Sequence, residues 1–183
     1  MISKNSKNLE IIKPILRGRD ISRYAINYSN FWLINSHNGY KGNRKIDVEN
    51  DYIDIKNWLD RYSEQIEKRY DKGDTPYNLR NCAYIDEFEK EKIVWQEMCS
   101  TSSFCPDTKG YFTNDTVTFI TGENLKTVLA MLNSKLMTFA FRKFYSGGGL
   151  GEKGIRFKKN FLSELPIIGE KNDDLEKIVD KII

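Results

Sequence analysis

The sequence predicts an α+β fold in which a small antiparallel or mixed sheet is flanked by helices. Short runs of β-branched and aromatic residues, such as FWLIN at 31–35 and TVTFIT at 116–121, are typical of strands. Stretches around 51–71 and 123–136 repeat apolar residues every three or four positions, which is typical of amphipathic helices. With 183 residues and 39% hydrophobic content, the chain is long enough to bury a substantial core.

The chain is predicted to begin with a flexible start at residues 1–10, followed by irregular structure and a strand. Pro14 and Gly18 interrupt any long helix in the segment LEIIKPILRGRDISRY. The apolar run at 31–35 is predicted to be a buried strand, because it is short, aromatic and bounded by polar residues.

A single amphipathic helix is predicted from about Asp51 to Asp71. Ile55, Tyr62 and Ile66 share its apolar face, and Gly73 is expected to end it. The segment DKGDTPYNLRN follows and is rich in residues that favour bends. We therefore predict an exposed contact loop there.

The second half of the chain is predicted to supply most of the sheet. The segment 92–98 alternates as a strand does, and 116–121 is the clearest strand of the chain. Residues 103–106 and 111–112 are predicted to form a hairpin with Gly110 at its tight corner.

Helices are predicted to follow the last long strand. Leucines recur at helical spacing in ENLKTVLAMLNSKL, and a bend is expected near Asn133. Residues 11–168 are predicted to form one domain. The apolar spacing within 169–183 predicts a C-terminal helix, which we expect to be truncated from a longer chain.

Positive charge is concentrated in one segment of the chain. Between residues 141 and 160 there are six basic residues and one acidic residue, although the net charge of the whole chain is only +3. Lysine and arginine neutralise phosphates, and glycine lets a main chain approach a polyanion closely. This segment is therefore predicted to contact a polyanion. Its glycines are Gly147, Gly148, Gly149, Gly151 and Gly154.

The same glycines match two nucleotide-binding patterns only in part. Gly149, Gly151 and Gly154 have dinucleotide-binding spacing, but that site requires a strand before the glycines and a helix after them. Here a helical pattern comes first and a strand-like one follows. Ile155 stands where a phosphate-binding loop requires lysine, so both interpretations are rejected.

The sequence contains no recognisable catalytic site. Pro106 and Asp107 begin a paired-carboxylate nuclease pattern, but no Asp or Glu downstream of Asp107 has Lys at the second position after it. The four prolines include no Pro-Pro pair, so the Asn-Pro-Pro-Tyr motif of an amino-group methyltransferase is also missing. His37, the only histidine, has no recognisable acid or base partner. We therefore expect that the chain is not an enzyme on its own.

The cysteines and the hydropathy pattern restrict the environment of the protein. Cys82, Cys99 and Cys105 are odd in number and lack a CxxC spacing, so we predict reduced thiols and no zinc site. No apolar run approaches the ~18 residues of a membrane span. We expect a cytoplasmic monomer with no metal, no cofactor of its own and no membrane contact.

Five segments of the chain occur in a recognisable order. They are IIKPILRGRDISRY, LDRYSEQIEKRYDKGDTPYNLRNCAY, FEKEKIVWQE, FTNDTVTFITGENLKTVLAMLNSKL and GGGLGEKGIRFKKNFLSELPI. Together they closely resemble the TaqI-like C-terminal specificity domain, over roughly Ile11 to Ile168. Single motifs such as LNSKL are weakly specific, whereas the order and spacing of all five are strongly specific.

The resemblance implies an α+β domain that reads a short sequence of double-stranded DNA, chiefly through the major groove. Domains of this family are similar in fold to type I specificity subunits. They are the target-recognition part of adenine-N6 DNA methyltransferases and type IIG restriction-modification enzymes. A methyltransferase domain of the same parent chain would then flip the adenine and use S-adenosylmethionine. A parent that also cleaves DNA would use Mg²⁺.

The resemblance does not identify the base-contacting residues, so they are assigned from side-chain chemistry. Arginine suits guanine, and asparagine or glutamine suits adenine. A turn cap is the alternative role for Asn78, and a solvated side chain is the alternative for Arg80. The candidates for base reading are Tyr77, Asn78, Arg80, Gln96, Ser102 and Lys109.

Phosphate contacts require charge and reach but no defined fork of donors, and so they are assigned to the basic segment. The candidates are Arg142, Lys143, Lys153, Arg156, Lys158 and Lys159. Two other functions stay open. One is an intramolecular docking domain whose glycine loop and C-terminal helix pack on the catalytic part, and the other is a metal-dependent nuclease that uses Asp107.

Overall fold

The computed structural model of the chain describes residues 5–145 and 154–183. Small antiparallel and mixed sheets with short helices confirm the predicted α+β class. The chain divides into two compact units. The first unit is Met1–Pro14 with Trp32–Glu87, and the second unit is Ile15–Phe31 with Phe88–Ile183.

The elements are mostly short. The strands are β1 Ile12–Leu16, β2 Ile21–Ser22, β3 Ala25–Ile26, β4 Trp32–Ile34, β5 Lys92–Gln96, β6 Met98–Cys99, β7 Phe104–Asp107, β8 Phe112–Thr113, β9 Val117–Thr121 and β10 Ile155–Arg156. The α-helices are α1 Val48–Asp51, α2 Ile53–Leu59, α3 Ser63–Lys68, α4 Leu125–Leu132, α5 Lys135–Ala140, α6 Lys159–Leu162 and α7 Asp173–Asp180. Ser6–Glu10, Gly18–Asp20, Asp60–Tyr62 and Ile85–Glu89 form 3-10 helices, and Phe141–Tyr145 forms a π-helix.

In the first unit, short helices pack around the beginning of β1. Ile12 stands opposite Ile34 in an antiparallel pairing with β4. The predicted strand at 31–35 is therefore confirmed, but it is not buried, since Trp32 is 50% exposed. The buried core of this unit is formed by Ile11, Ile12, Val48, Tyr52 and Ile55.

The prediction of one continuous helix from Asp51 to Asp71 is wrong. The chain is helical earlier, from Val48, but leaves helical geometry at Tyr52 (φ −134°, ψ 58°) before α2 begins. The buried Tyr52 ring and its hydroxyl bond to Glu10 Oε2 at 2.8 Å favour this break. Helical structure then ends at Lys68, before Gly73, and Tyr70 is fully exposed.

In the second unit, β5 is the central strand of the three-stranded antiparallel sheet β7-β5-β9. Ile93 and Trp95 pack into the larger core cluster, whereas Val94 packs into a separate one. A strand that is buried on both faces is expected to be apolar throughout, which explains the run Ile-Val-Trp. Helix α4 packs against α7 and β7.

The predicted hairpin across Gly110 is wrong. β7 pairs with β5, whereas β8 pairs in parallel with Ile15 and Leu16. The Asp107 carboxylate accepts from the Lys109 and Tyr111 backbone N–H groups, each at 2.9 Å, and so it turns the chain away from β7. Gly110 does adopt the left-handed conformation expected at a tight corner, with φ +70°.

The helical predictions for the rest of the second unit are confirmed. α4 ends at Leu132, and Ser134 caps α5 by accepting from the Met137 N–H at 3.0 Å, which produces the bend expected near Asn133. The predicted C-terminal helix is α7. Within the part of the chain that the structure describes, no helix is long and apolar enough to cross a bilayer.

Candidate nucleic-acid interface

The central sheet of the second unit has two ends with different side chains. At one end β5 finishes at Gln96, next to the first residues of β7 and β9. We call this the Gln96 end. At the other end, Lys92 stands opposite Asp107, and we call this the Lys92 end. Five strand residues span about 13 Å, so the two ends belong to different surfaces.

Gln96 is held half-buried against Gly18. A Cβ atom on Gly18 would lie 2.9 Å from the Gln96 Cδ, so a larger residue at position 18 would displace the Gln96 side chain. The Gly18 N–H donates to the Thr116 hydroxyl at 2.9 Å, which fixes the contact. One predicted base-reading residue is therefore positioned by the arginine-rich segment that precedes β2.

Arg17 is pre-organised in the same segment. Its guanidinium carbon lies 3.7 Å from the centroid of the Phe31 ring. Its Nη2 lies 3.2 Å from Oδ1 of Asp20, a side chain that is only 1% exposed and that also accepts from the Ser29 hydroxyl at 2.5 Å. Phe31 is 48% exposed, whereas the Arg17 side chain is 18% exposed, so the pair presents mainly an aromatic ring to solvent and holds the guanidinium group beneath it.

The Asp20 cluster predicts an acid-dependent contribution to stability. Burial disfavours its ionised form, but the hydrogen bonds from Arg17 and Ser29 outweigh burial and hold the pKa of Asp20 below its ordinary value of 3.8. A lowered folded-state pKa adds stability above the unfolded-state pKa, and this stability is lost as pH falls through the folded-state value. We expect Asp20→Asn to reduce the free energy of unfolding by about 1–3 kcal/mol at neutral pH.

Urea unfolding of both proteins at neutral pH and near pH 3 checks this prediction. The difference in free energy of unfolding between wild type and Asp20→Asn is expected to be smaller at the lower pH. A difference of equal size at both pH values would contradict it, because the charge of Asp20 would then contribute nothing.

The strands β6 and β10 form a two-stranded ribbon beyond the Gln96 end. Arg156 stands opposite Met98, and Ile155 stands opposite Cys99. The Arg156 Nε lies 3.5 Å from Oε2 of Glu97, in a pair that is partly exposed. The ribbon thus places one predicted phosphate contact close to where β5 ends.

Other predicted phosphate contacts lie on segments next to this ribbon. Arg142 is exposed on the π-helix and donates to the Ser100 carbonyl at 2.7 Å. Helix α6 contacts the π-helix. Lys143 and Lys159 are exposed, and Lys158 is half-buried at the start of α6. The structure therefore brings these four basic residues and Arg156 to neighbouring segments.

Part of the predicted polyanion segment lies outside the described residues. This part comprises Lys153 and the glycines at 147, 148, 149 and 151. Gly154 is described, and it is half-buried immediately before β10.

The base-reading candidates of the second unit are dispersed. The Ser102 side chain lies at the Gln96 end but is 2% exposed, and its hydroxyl lies 2.5 Å from that of Thr138. Lys109 is exposed but lies at the Lys92 end, in the turn after Asp107. Of these candidates, Gln96 is the one that combines partial exposure with a place near the basic segments.

In the first unit, the candidates divide between buried and exposed side chains. Asn78 is 1% exposed and donates to the Ile46 carbonyl at 2.9 Å, which corresponds to its alternative role as a structural residue. The Tyr77 hydroxyl donates to Asp60 Oδ1 at 2.6 Å, and this bond raises the pKa of Tyr77. Arg80 is exposed, and so it is the base-reading candidate of this unit that is most available to DNA.

Two cations near the Gln96 end were not predicted. Arg23 donates through Nη2 to the Asn133 carbonyl at 2.6 Å, and Lys135 begins α5. The high arginine content of RGRDISR was a signal for the first of them. No local signal distinguished Lys135, because it lies near Arg23 only through a contact between Arg23 and Asn133, which are 110 positions apart.

Two of the thiols and the Asp107 carboxylate are held in buried surroundings. Burial raises the pKa of Cys99 to about 11 and that of Cys105 to about 12, so neither is a thiolate at neutral pH. Asp107 is buried in an ion pair with Lys92. Among residues 5–145 and 154–183, no three His, Cys, Asp or Glu side chains are grouped as metal ligands.

The chain matches a known protein family. The family described as TaqI-like C-terminal specificity domain matches residues 13–167, which is most of the chain. A comparison with curated proteins gives no match.

Proposed function

The chain belongs to the TaqI-like C-terminal specificity domain family, and from this membership we propose that it reads a short sequence of duplex DNA for a restriction-modification enzyme. In this role it places an adenine-N6 methyltransferase domain of the same parent chain on its site. The parent is then a type IIG enzyme or a methyltransferase that uses S-adenosylmethionine, and it uses Mg²⁺ if it cleaves.

The proposal is carried by the exposed basic residues on the ribbon, the π-helix and α6. Arg142, Lys143, Arg156 and Lys159 are exposed on these neighbouring segments, and half-buried Gln96 lies where β5 ends beside them. Cations that contact phosphates fix the register of a protein on DNA, and a nearby amide then reads a base edge. Arg80 is the corresponding candidate in the first unit.

Selection of bound sites from randomised duplexes, with the chain at moderate salt, tests this function. We expect enrichment of one short motif over the starting pool. Recovery of DNA without any enriched motif would limit the chain to non-specific binding. A failure to recover any DNA would overturn the proposal.

Neutralising two of the phosphate candidates is expected to change the salt dependence of DNA binding. In Lys158→Gln/Lys159→Gln, the plot of log affinity against log salt is expected to become shallower by about one unit for each lost contact. Fluorescence anisotropy with a labelled duplex over a range of salt concentrations measures both slopes.

The matched control is Lys177→Gln/Lys181→Gln, which removes the same charge from exposed positions at the end of α7. This control should retain the slope of the wild-type chain. If both double variants changed the slope equally, net charge rather than a local phosphate contact would explain the effect.

A second candidate function is docking on the catalytic part. Three large apolar side chains on α5 and the π-helix are exposed: Leu136 by 75%, Phe139 by 60% and Phe144 by 70%. Exposed apolar groups of this size are typical of surfaces that bind another protein. A methyltransferase domain added in trans at high salt separates the functions, because apolar docking persists where phosphate contacts weaken.

A further inference from the structure

A cavity of about 340 Å³ lies in the second unit beside the ends of β2 and α4. Three cationic residues line it, namely Arg23, Lys135 and Arg142, and Thr101, Asn133, Thr138 and Phe139 are the other described lining residues. None of its lining residues in the described part of the chain is acidic. Cationic side chains that line one cavity favour the binding of an anion there.

The arginines of this cavity are held by backbone atoms. Arg23 Nη2 donates to the Asn133 carbonyl at 2.6 Å, and Arg142 Nη2 donates to the Ser100 carbonyl at 2.7 Å. These bonds hold the two guanidinium groups in place. Arg23 has five N–H donors, so its bond to Asn133 leaves others to bind an oxygen-rich ligand.

The support beneath Arg23 is rigid. Asn133 is 2% exposed, and its side-chain amide accepts from the Phe104 N–H at 3.1 Å and donates to the Phe104 carbonyl at 2.9 Å. The same carbonyl accepts from the Tyr24 N–H at 3.1 Å, which fixes the turn that contains Arg23. The positive cavity is therefore built on the first residue of β7.

Lys135 and Phe139 complete the recognition surface. The Lys135 side chain is exposed and makes no hydrogen bond or ion pair with any other residue that the structure describes, so its ammonium group is available to a ligand. Phe139 follows one turn later on α5 and is 60% exposed at the rim. The cavity is larger than a phosphate group and offers an apolar surface to the sugar attached to it.

We propose that this cavity binds one phosphodiester of the duplex backbone, with Phe139 against the adjoining deoxyribose. The proposal deepens the proposed function and rests on it. Arg23, Lys135 and Arg142 share the charge of the phosphate, and the contact fixes the register from which Gln96 reads DNA. Only Arg142 among these three cations belongs to the segment that the sequence singled out.

The test compares wild type with Lys135→Gln, which removes an exposed charge without a described partner, and with Arg23→Gln and Arg142→Gln. The matched control is Lys181→Gln. Lys181 follows Asp180 in the sequence, and Asp180 lines a cavity together with Lys92 and Asp107 at the Lys92 end. The three substitutions together are expected to make the salt slope shallower by about one unit, and each alone by a fraction of that, whereas Lys181→Gln should leave the slope unchanged.

A second readout uses duplexes of the selected site in which single phosphates are replaced by neutral methylphosphonates. At one position, the neutral phosphate should weaken DNA binding by Lys135→Gln less than it weakens binding by wild type, because the two changes remove part of the same contact. Additive losses at every position would overturn the proposal. Circular dichroism of each variant establishes that the fold is retained.

Inorganic phosphate distinguishes a free anion from a DNA phosphate. We expect it to compete with duplex no better than sulfate at equal ionic strength. The cavity would be a site for free phosphate rather than for DNA under two conditions. Lys135→Gln would abolish saturable phosphate binding, and the same variant would keep the wild-type salt dependence of DNA binding. If wild type binds DNA but no pocket variant changes the slope, the cavity assignment fails alone. If wild type shows no salt-dependent DNA binding, the proposed function fails with it.

Discussion

Replacing Lys92 with methionine is expected to lower the free energy of unfolding by about 3–5 kcal/mol, because the substitution leaves the Asp107 carboxylate buried and without its counter-charge. The Lys92 Nζ lies 2.6 Å from Asp107 Oδ2, and both side chains are 0% exposed. The ammonium group also donates to the carbonyls of Phe88 and Lys90. Methionine matches the length of lysine but satisfies none of these acceptors.

Chemical denaturation of three variants measures this effect. Lys92→Met/Asp107→Leu removes both charges and should recover much of the loss, since an apolar pair of similar volume replaces a buried ion pair at little cost. Lys126→Met is the matched control, because its pair with Asp180 is about half exposed and is expected to contribute less than about 1 kcal/mol. A loss below about 1 kcal/mol for Lys92→Met would contradict the prediction.

The same contacts bear on the nuclease hypothesis for Asp107. Both of its oxygens accept hydrogen bonds from backbone N–H groups, and one also pairs with Lys92. A carboxylate engaged in this way serves the turn that follows β7. We therefore attribute a structural role to Asp107 and expect no DNA cleavage that depends on it.

Asn78→Ala is expected to lower the free energy of unfolding by about 2–4 kcal/mol, because several buried polar groups lose their partner at once. The Asn78 amide donates to the carbonyls of Ile46 at 2.9 Å and Ser36 at 3.3 Å, and its Oδ1 accepts from the Thr75 hydroxyl at 2.7 Å. A buried acceptor without a donor costs about 1–3 kcal/mol.

Arg80→Ala is the matched control, two residues further along the same loop. Since Arg80 is exposed, its replacement should change the free energy of unfolding by no more than about 0.5 kcal/mol. If Arg80 reads guanine, its replacement should relax the selected motif at one position by about 1–3 kcal/mol. An Asn78→Ala variant of unchanged stability but altered motif would contradict the structural role and restore the base-reading one.

The contrast between these two residues shows how far the sequence predicts the site. The segment DKGDTPYNLRN predicts a turn, because its glycine, proline and asparagine favour bends locally. It does not predict that Asn78 points inward, since its partners Ser36 and Ile46 lie more than 30 positions away. Local propensity therefore identifies the loop but not the side chain that the loop exposes.

The sheet shows the same limit. Val117–Thr121 and Lys92–Gln96 are strands by composition, and the structure contains both. The hairpin expected across Gly110 is wrong because pairing depends on which edge is available, and β8 meets Ile15 and Leu16 instead. Strand identity is a local property, whereas strand pairing is decided by contacts across the chain.

By itself, the sequence determined the α+β class, the family and the concentration of positive charge between residues 141 and 160, because these depend on composition, periodicity and segment order. Only the tertiary structure decided that Arg23 and Lys135 share a cavity with Arg142. These residues are far apart in the chain, and they meet because Asn133 and Phe104 join their segments through buried hydrogen bonds. No local pattern encodes such a meeting.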